Sequence, residues 1–434
     1  MSRAMKDSGY PWIGEIPLNW EIRRLRFLGE VSGGMANKKP EDYGHGTPFI
    51  SYKNVYKNMT IRDDYGDCVE ATKSDLVKYS VNYGDTLFTG SSETVDELGL
   101  SSTCINEIEN ATFNGFCMRF RPYDLSESNP EFLKYFFRNH SVRTQLSAYD
   151  NSITRANLSQ SKLKDVVIIV PPRYEQSKIA GFLDEKCAEI DKVLEKTRAS
   201  VEEYKKLKQS IITQAVIKGV RGDRPMKNSG IEWIGVVPEE WNVKRGKALF
   251  HEVKNQSTTG TEELLTVSQY TGITPRSQKN VTMFQSESLV GYKIVEIGDV
   301  GANTMWLWDG AIGVSTYRGV ISPSYNVYRQ SNGDYDSKYL DYLLRNPLLV
   351  QHYESRSTGI RASRLRLYPQ QFLSIMFPVP DINEQRAIAE YLDTKCKGIE
   401  TLIEKKYKLI ADLEEYKKSL IYEYVTGKKE VPQE

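Results

Sequence analysis

The stretch "PWIGEIPLNWEIRRL", Pro11 to Leu25, returns as "EWIGVVPEEWNVKRG" from Glu232, so that Trp12, Ile13, Gly14, Pro17 and Trp20 reappear as Trp233, Ile234, Gly235, Pro238 and Trp241. The displacement is 221 residues. A second echo sets "PPRYEQSKIAGFLDEKCAEIDKVLEK" from Pro171 against "PDINEQRAIAEYLDTKCKGIETLIEK" from Pro380, now displaced by 209, with Glu175, Gln176, Asp184 and Cys187 falling on Glu384, Gln385, Asp393 and Cys396. A chain that repeats its boundaries in this way must build one kind of unit twice. The difference of 12 between the two displacements is the amount by which the second copy is shorter between its landmarks. At 434 residues and 39% apolar composition, the chain can bury the cores of two or three ordinary domains.

Each unit ends in a long helical pattern. From Glu175 to Ile217 there is no Pro and one Gly, and apolar residues fall at Ile190, Leu194, Val201, Tyr204, Leu207, Ile211 and Ala215. Spacings of three and four make a narrow apolar seam. The second copy repeats it at Ile399, Ile403, Ile410, Leu413, Tyr416, Leu420 and Tyr424, with Lys and Glu crowding the other faces of both helices. This is the pattern of a two-helix coiled coil. Gly219 and Gly427 stand where left-handed C-terminal caps would end the helices. The expected arrangement is internal and antiparallel, which returns the C-terminus to the N-terminal segment; a parallel homodimer is the competing arrangement. Unbroken, each helix would be a rod of roughly 65 Å.

Residues 21–170 and 242–379 occupy equivalent places yet share almost no identity. Both read as short β-rich runs broken by Gly, Asn, Asp and Ser, among them "GTPFISYKNV", "GDTLFTGSS" and "NGFCMRFRP" in the first and "ELLTVSQY", "YKIVEIGDV" and "GAIGVSTYRG" in the second. Short helices are expected at "NPEFLKYFFRNH" and "DSKYLDYLLRN", giving a compact α/β or β-rich fold with the aromatic stripes in its core. Polar loops follow the matching Gly84-Asp85 and Gly298-Asp299 turns, and a second pair, "SITRANLSQSKLK" and "GIRASRLRLYPQ", precedes the long helices. The second pair carries Arg155, Lys162 and Lys164 in one lobe and Arg361, Arg364 and Arg366 in the other, side chains able to neutralise phosphate or read guanine. Charge by itself says little. Lys plus Arg number 18 against 20 acids in residues 21–170, and 15 against 11 in residues 242–379.

No run of about 18 apolar residues is present, and the start "MSRAMKDSGYPW" lacks an apolar signal core, so a soluble, unexported protein is expected. Five cysteines without C-x-x-C spacing indicate neither a disulfide frame nor a zinc site and fit a reducing cytoplasm, with Cys187 and Cys396 as core residues. His45, His140, His251 and His352 are isolated, and no G-x-x-x-x-G-K-[ST] phosphate loop occurs. The Asn-Pro pairs at Asn129 and Asn346 lack the following Pro-aromatic pair with which adenine methyltransferases hold a flipped base. No residue is assigned to catalysis and none to metal.

Taken together, the W-I-G-x-x-P-x-x-W openings at Trp12 and Trp233, the Glu-Gln pairs at Glu175-Gln176 and Glu384-Gln385, and the ending "KKSLIYEYVTGK" at Lys417 make a chain that resembles the specificity subunit of bacterial type I restriction-modification enzymes. The resemblance covers nearly the whole chain. It implies an α+β protein: two α/β target recognition domains separated by an antiparallel coiled coil of two long helices, with pseudo-twofold symmetry. The expected division is 1–170 (first recognition domain with its opening segment), 171–220 (first long helix), 221–379 (second recognition domain with its opening segment) and 380–434 (second long helix). It also implies that the chain binds double-stranded DNA, two methyltransferase subunits and, through them, two restriction subunits. S-adenosylmethionine, ATP and Mg would then belong to those partners and none to this chain.

On that resemblance, the residues expected at DNA are Lys53, Asn54, Ser91, Ser92, Arg155, Asn157 and Lys162 in the first lobe and Tyr270, Arg276, Trp306, Arg361, Ser363, Arg364 and Arg366 in the second. Trp12, Trp20, Glu175, Gln176, Trp233, Trp241, Glu384 and Gln385 are expected to dock the partner subunits. Two unlike readers on one frame should read a bipartite, asymmetric site across a gap near one helical turn, about 10 bp. The alternative is a coiled-coil scaffold whose two lobes bind ligands other than DNA.

Overall fold

The computed structural model describes residues 3–36, 38–62, 64–147, 156–279, 288–360 and 365–432. It divides into two units, one of residues 1–197 with 408–434, the other of residues 198–407. Each unit therefore owns one lobe together with a stretch of both long helices.

The two units follow one plan. In unit one a hairpin pairs Met5–Asp7 with Glu15–Pro17, and strand Glu21–Arg24 then pairs antiparallel with Val167–Val170. The run "VIIV" suits such a strand, because β-branched side chains pack well on a pleated surface and three of the four are buried here. This pairing joins the first and last strands of the lobe, so the material between is a closed insertion. In unit two the hairpin is Met226–Asn228 with Val236–Pro238, and the closing pair is Asn242–Arg245 with Met376–Val379.

Inside the closing pair lies the main sheet of each lobe. In unit one it has five strands in the order Gly29–Gly33, Cys117–Pro122, Thr86–Thr89, Ser101–Cys104 and Thr60–Ile61, antiparallel except for the last pair. In unit two it has four antiparallel strands in the order Phe250–Val253, Asn326–Gln330, Val300–Ala302 and Ile312–Val314. The lobes diverge in what is added. Unit one carries a second sheet of Thr112–Phe113, Tyr43–Ile50 and Cys68–Val69, where unit two has the two-stranded pairs Leu265–Ser268 with Gly272–Pro275 and Lys293–Val295 with Gly319–Ile321.

An ion pair built on a buried carboxylate marks the same place in both sheets. Asp85, wholly buried after its Gly84 turn, accepts from Arg121 Nε at 2.7 Å and Nη2 at 2.6 Å. Asp299, 1% exposed after Gly298, accepts from Arg329 Nε at 2.7 Å and Nη2 at 2.8 Å. Each carboxylate also takes a main-chain N–H of its own turn, from Asn82 at 2.7 Å and Glu296 at 2.9 Å. A carboxylate removed from water needs its lone pairs filled, and the planar guanidinium fills two at once. Arg121 and Arg329 thus serve the buried carboxylates of their sheets.

The long helices run Arg173–Lys218, 46 residues, and Ile382–Val425, 44 residues. They are antiparallel in both units. In unit one the Phe182 ring meets Tyr424 with centroids 4.5 Å apart, and Lys417 bonds Asp191 at 2.6 Å. In unit two Lys406 lies over the Tyr204 ring at 5.6 Å and Lys208 bonds Glu400. As numbers climb on the first helix, their partners fall on the second, so a parallel pairing is excluded. Gly219 and Gly427 take positive φ, 75° and 72°, as left-handed caps do. A Cβ on Gly427 would stand 2.4 Å from Pro17 Cδ, and Lys428 Nζ donates to the Ile13 carbonyl at 3.0 Å, which brings the C-terminal segment onto the N-terminal hairpin.

The seam differs from expectation at one step. Leu207 and Tyr416 are 47% and 56% exposed. The inward positions are Ile190, Leu194, Thr197, Val201, Tyr204, Lys208, Ile211 and Ala215, and on the second helix Ile399, Ile403, Lys406, Ile410, Leu413, Lys417, Leu420 and Tyr424. Both sets alternate steps of four and three without a break, the period of a left-handed supercoil. Strict spacing therefore turns Leu207 and Tyr416 outward and draws in their neighbours Lys208 and Lys417, whose ammonium groups reach acids on the facing helix, Glu400 and Asp191.

Candidate nucleic-acid interface

Each lobe is fastened to its long helices by the same set of bonds. Trp20, wholly buried, donates Nε1 to Glu175 Oε2 at 2.9 Å, and Trp241, 1% exposed, donates Nε1 to Glu384 Oε2 at 2.9 Å. Arg3 and Arg224 complete the two sites, each bonded to the same glutamate, with the guanidinium carbon 5.2 and 5.3 Å from the centre of the Trp20 and Trp241 rings. Gln176 donates Nε2 to the carbonyls of Pro171 and Glu127, both at 2.8 Å, and accepts from Asn129 N at 2.8 Å. Gln385 does the same with Pro380 at 3.0 Å, Asp334 at 2.8 Å and Asp336 N at 2.8 Å.

These contacts place most of the residues expected to dock partners in internal joints. Trp20, Trp241, Glu175, Gln176, Glu384 and Gln385 are bonded inside their own unit, five of them buried and Glu175 partly so. Trp233 is 7% exposed and belongs to the core of unit two. Only Trp12, 38% exposed and against Tyr10, keeps an open face.

In the first lobe, strand Ala156–Asn157 pairs with Ser91–Ser92. The two polar loops singled out in the sequence therefore meet. Leu158 N donates to the Gly90 carbonyl at 2.9 Å, and the Tyr52 hydroxyl donates to the Ser91 carbonyl at 2.7 Å, which brings in helix Tyr52–Lys57. Lys53 and Asn157 are exposed on this surface and Ser91 is half-buried. Asn54 and Ser92 are not available. Asn54 is 8% exposed, bonded to Ser51 Oγ and accepting from Asn58 through its carbonyl, while Ser92 is 4% exposed and caps Thr94 N. Alternation along helix and strand puts each on the inner side of its neighbour. Lys162 sits half-buried in helix Gln160–Asp165, beneath its Ser159 cap.

In the second lobe Tyr270, 80% exposed, tops the turn between Leu265–Ser268 and Gly272–Pro275. Trp306 is 47% exposed and stacked on Trp308 at 5.7 Å, with the Trp308 indole N–H held by the Met305 carbonyl at 2.9 Å. Arg276 is half-buried at the start of a short 3-10 turn. Arg366 exchanges main-chain bonds with Thr358 at 2.9 and 3.0 Å and turns Nη1 back to the Leu365 carbonyl. Arg155, Arg361, Ser363 and Arg364 lie outside the described residues.

Sequence reading passed over Phe116. It stands 69% exposed on a turn in which Asn114 Oδ1 accepts from Phe116 N at 2.8 Å, and its carbonyl accepts from Gly90 N at 2.8 Å, beside the Ser91 surface. The Asn-Gly pair ahead of it was the available sign of a turn. Arg3 and Arg224 were also legible, since they share the 221-residue displacement of the Trp segments.

Each unit thus sets a different polar surface on one duplicated frame. Residues 17–203 match the family described as "Type I restriction modification DNA specificity domain". A chain of Methanocaldococcus jannaschii, named for the type I restriction enzyme MjaX specificity subunit, is 24% identical over 96% of this chain and 95% of its own length. The type I restriction enzyme EcoKI specificity subunit of Escherichia coli is 25% identical over 47% of this chain and 44% of its own length. The fold is shared with a solved chain of a type I R-M system at a TM-score of 0.69 and 15% identity, covering 94% of this chain and 98% of that one, and with the HsdS subunit of Thermoanaerobacter tengcongensis at 0.54. Along nearly its whole length the chain is thus similar to type I restriction enzyme specificity subunits, with the DNA specificity domain matched over residues 17–203. No helix among the described residues is long and apolar enough to cross a membrane.

Proposed function

We propose that this chain reads a bipartite, asymmetric DNA site, one half with each lobe, and docks two methyltransferase subunits that carry out the reaction. The observation that carries the reading is the contrast within each unit. The latch of Trp, Arg, Glu and Gln is repeated residue for residue, whereas the surfaces built on Ser91 and Asn157 and on Tyr270 and Trp306 have no residue in common. A constant frame suits identical partners and unlike surfaces suit unlike half-sites. Arg155, Arg361, Ser363 and Arg364 remain our candidates for phosphate or base contact alongside Lys53, Asn157, Tyr270 and Trp306, and salt-dependent binding is expected. Adenine methylation, translocation and cleavage fall to the methyltransferase and restriction subunits, two of each, which would hold S-adenosylmethionine, ATP and Mg. We assign this chain no catalytic residue and place the complex in the cytoplasm.

The outward faces of the long helices support two equivalent docking patches. Unit one exposes Val193 and Tyr416 by 45% and 56%, and unit two exposes Leu402 and Leu207 by 42% and 47%. Under the 209-residue displacement Val193 corresponds to Leu402, and Leu207 to Tyr416. Large apolar side chains left open on charged helices mark binding surfaces. The double change Val193→Asp with Tyr416→Asp is expected to remove one methyltransferase subunit from the purified complex, and Leu402→Asp with Leu207→Asp the other, as read by native mass. Two methyltransferase subunits retained by both variants would move docking elsewhere.

A further inference from the structure

Inside the dissimilar regions, two arginines hold one position in a shared plan. Helix Pro130–Phe136 runs into Tyr135-Phe136-Phe137-Arg138-Asn139, and helix Ser337–Leu344 into Tyr342-Leu343-Leu344-Arg345-Asn346. The tyrosine ties each helix to the frame: Tyr135 OH donates to Asp184 at 2.7 Å and Tyr342 OH to Asp393 at 2.9 Å, equivalent acids of the long helices. The asparagine accepts the first free N–H of the next helix, Ser141 N on Asn139 at 2.7 Å and Leu348 N on Asn346 at 2.9 Å.

The arginine reaches the opposite way, to the recognition surface. Arg138 donates Nη2 to the carbonyls of Asn58 at 2.6 Å and Val55 at 3.0 Å, at the end of the helix that displays Lys53, and Nε to the Ser101 carbonyl at 2.6 Å. Burial pulls this guanidinium down to about 10, still protonated at neutral pH. Arg345 donates Nη2 to the carbonyls of Tyr270 at 2.6 Å and Gln269 at 3.2 Å, the turn that displays Tyr270. Side chains differ between the lobes, but main-chain carbonyls do not, so one residue type can brace two unrelated surfaces. A planar fork of donors fixes several acceptors at set angles, which a single ammonium cannot do.

We infer that Arg138 and Arg345 are the positioning residues of the two readers: each locks the element that meets DNA to the short helix bolted, through tyrosine and aspartate, to the long helices. The inference rests on the DNA-reading function proposed above. It separates positioning from contact, since neither guanidinium needs to touch the duplex.

The test is methylome sequencing of a host carrying the complete complex with Arg138→Gln, Arg138→Lys or Arg345→Gln, each complex first checked for retained methyltransferase and a cooperative melt. Arg138→Gln should raise methylation at sites altered in one half of the motif by about tenfold relative to the intact motif, with the other half read as strictly as before. Arg345→Gln should relax the opposite half, and Arg138→Lys should fall between Gln and wild type. Strict reading of both halves in the Gln variants, or equal relaxation of both halves by either one, would overturn the inference while leaving the DNA-reading function standing. A wild-type complex that methylates no split motif would remove both.

Discussion

Arg121→Ala is expected to lower the stability of unit one by about 3–5 kcal/mol, because it leaves the Asp85 carboxylate sealed in the sheet without its cation. Asp85 is fully buried and takes both guanidinium bonds from Arg121, so truncation strips the carboxylate of two charge-assisted donors at once. Changing both partners together, Asp85→Asn with Arg121→Met, should recover much of the loss, since the cost lies in the orphaned charge. Arg329→Ala should act on unit two in the same sense but less, its side chain being 41% exposed against 30% for Arg121. Calorimetry of the purified chain would resolve this as a shift in one of two transitions. An unchanged thermogram for Arg121→Ala would mean that the pair contributes nothing.

Trp20→Ala should cost a similar amount, about 3–5 kcal/mol, by emptying a buried aromatic site beneath Arg3 and breaking the bond to Glu175. Trp20→Phe keeps most of the ring and loses the N–H, so about 1–3 kcal/mol is expected. Burial pushes the Glu175 carboxyl up, but bonds from Arg3, Asn19 and Trp20 outweigh it and hold the group below the usual glutamate range. A depressed carboxylate stabilises the fold at neutral pH and loses that contribution as pH falls through its lowered value. The difference between wild type and Trp20→Phe should therefore narrow in acid. A difference that widens there would show that the carboxylate is not the acceptor that matters.

Much of this architecture was legible in the sequence. The displaced Trp and Glu-Gln segments announced two like units and the long apolar seams a helical pair, because both are one-dimensional patterns that packing must respect, while the repeat order and the matching lengths gave the antiparallel direction. What failed was finer. Leu207 and Tyr416 looked like seam residues by hydrophobicity, yet the unbroken four-three alternation selects Lys208 and Lys417, whose charges find acids across the pair. Repetition of Trp20, Glu175 and Gln176 suggested a docking surface, but residues can recur because the same internal joint is built twice. Asn54 and Ser92 have polar chemistry suited to DNA but lie on the buried side of their elements, which side-chain type alone does not reveal. The Tyr-x-x-Arg-Asn pattern stands in both quoted helical stretches, but the work of its arginines was not legible, because they grip carbonyls, which every residue has, so their partners leave no trace in side-chain identity.

The central claim is that one polypeptide reads a split word through two unlike surfaces held on a repeated frame. Methylome sequencing of a host that carries this chain with its methyltransferase, and no other such system, tests it most directly. The expected result is adenine methylation at a single motif of two different half-sites separated by a fixed run of unspecified bases. A continuous motif, a palindrome of identical halves, or no methylation at all would contradict it.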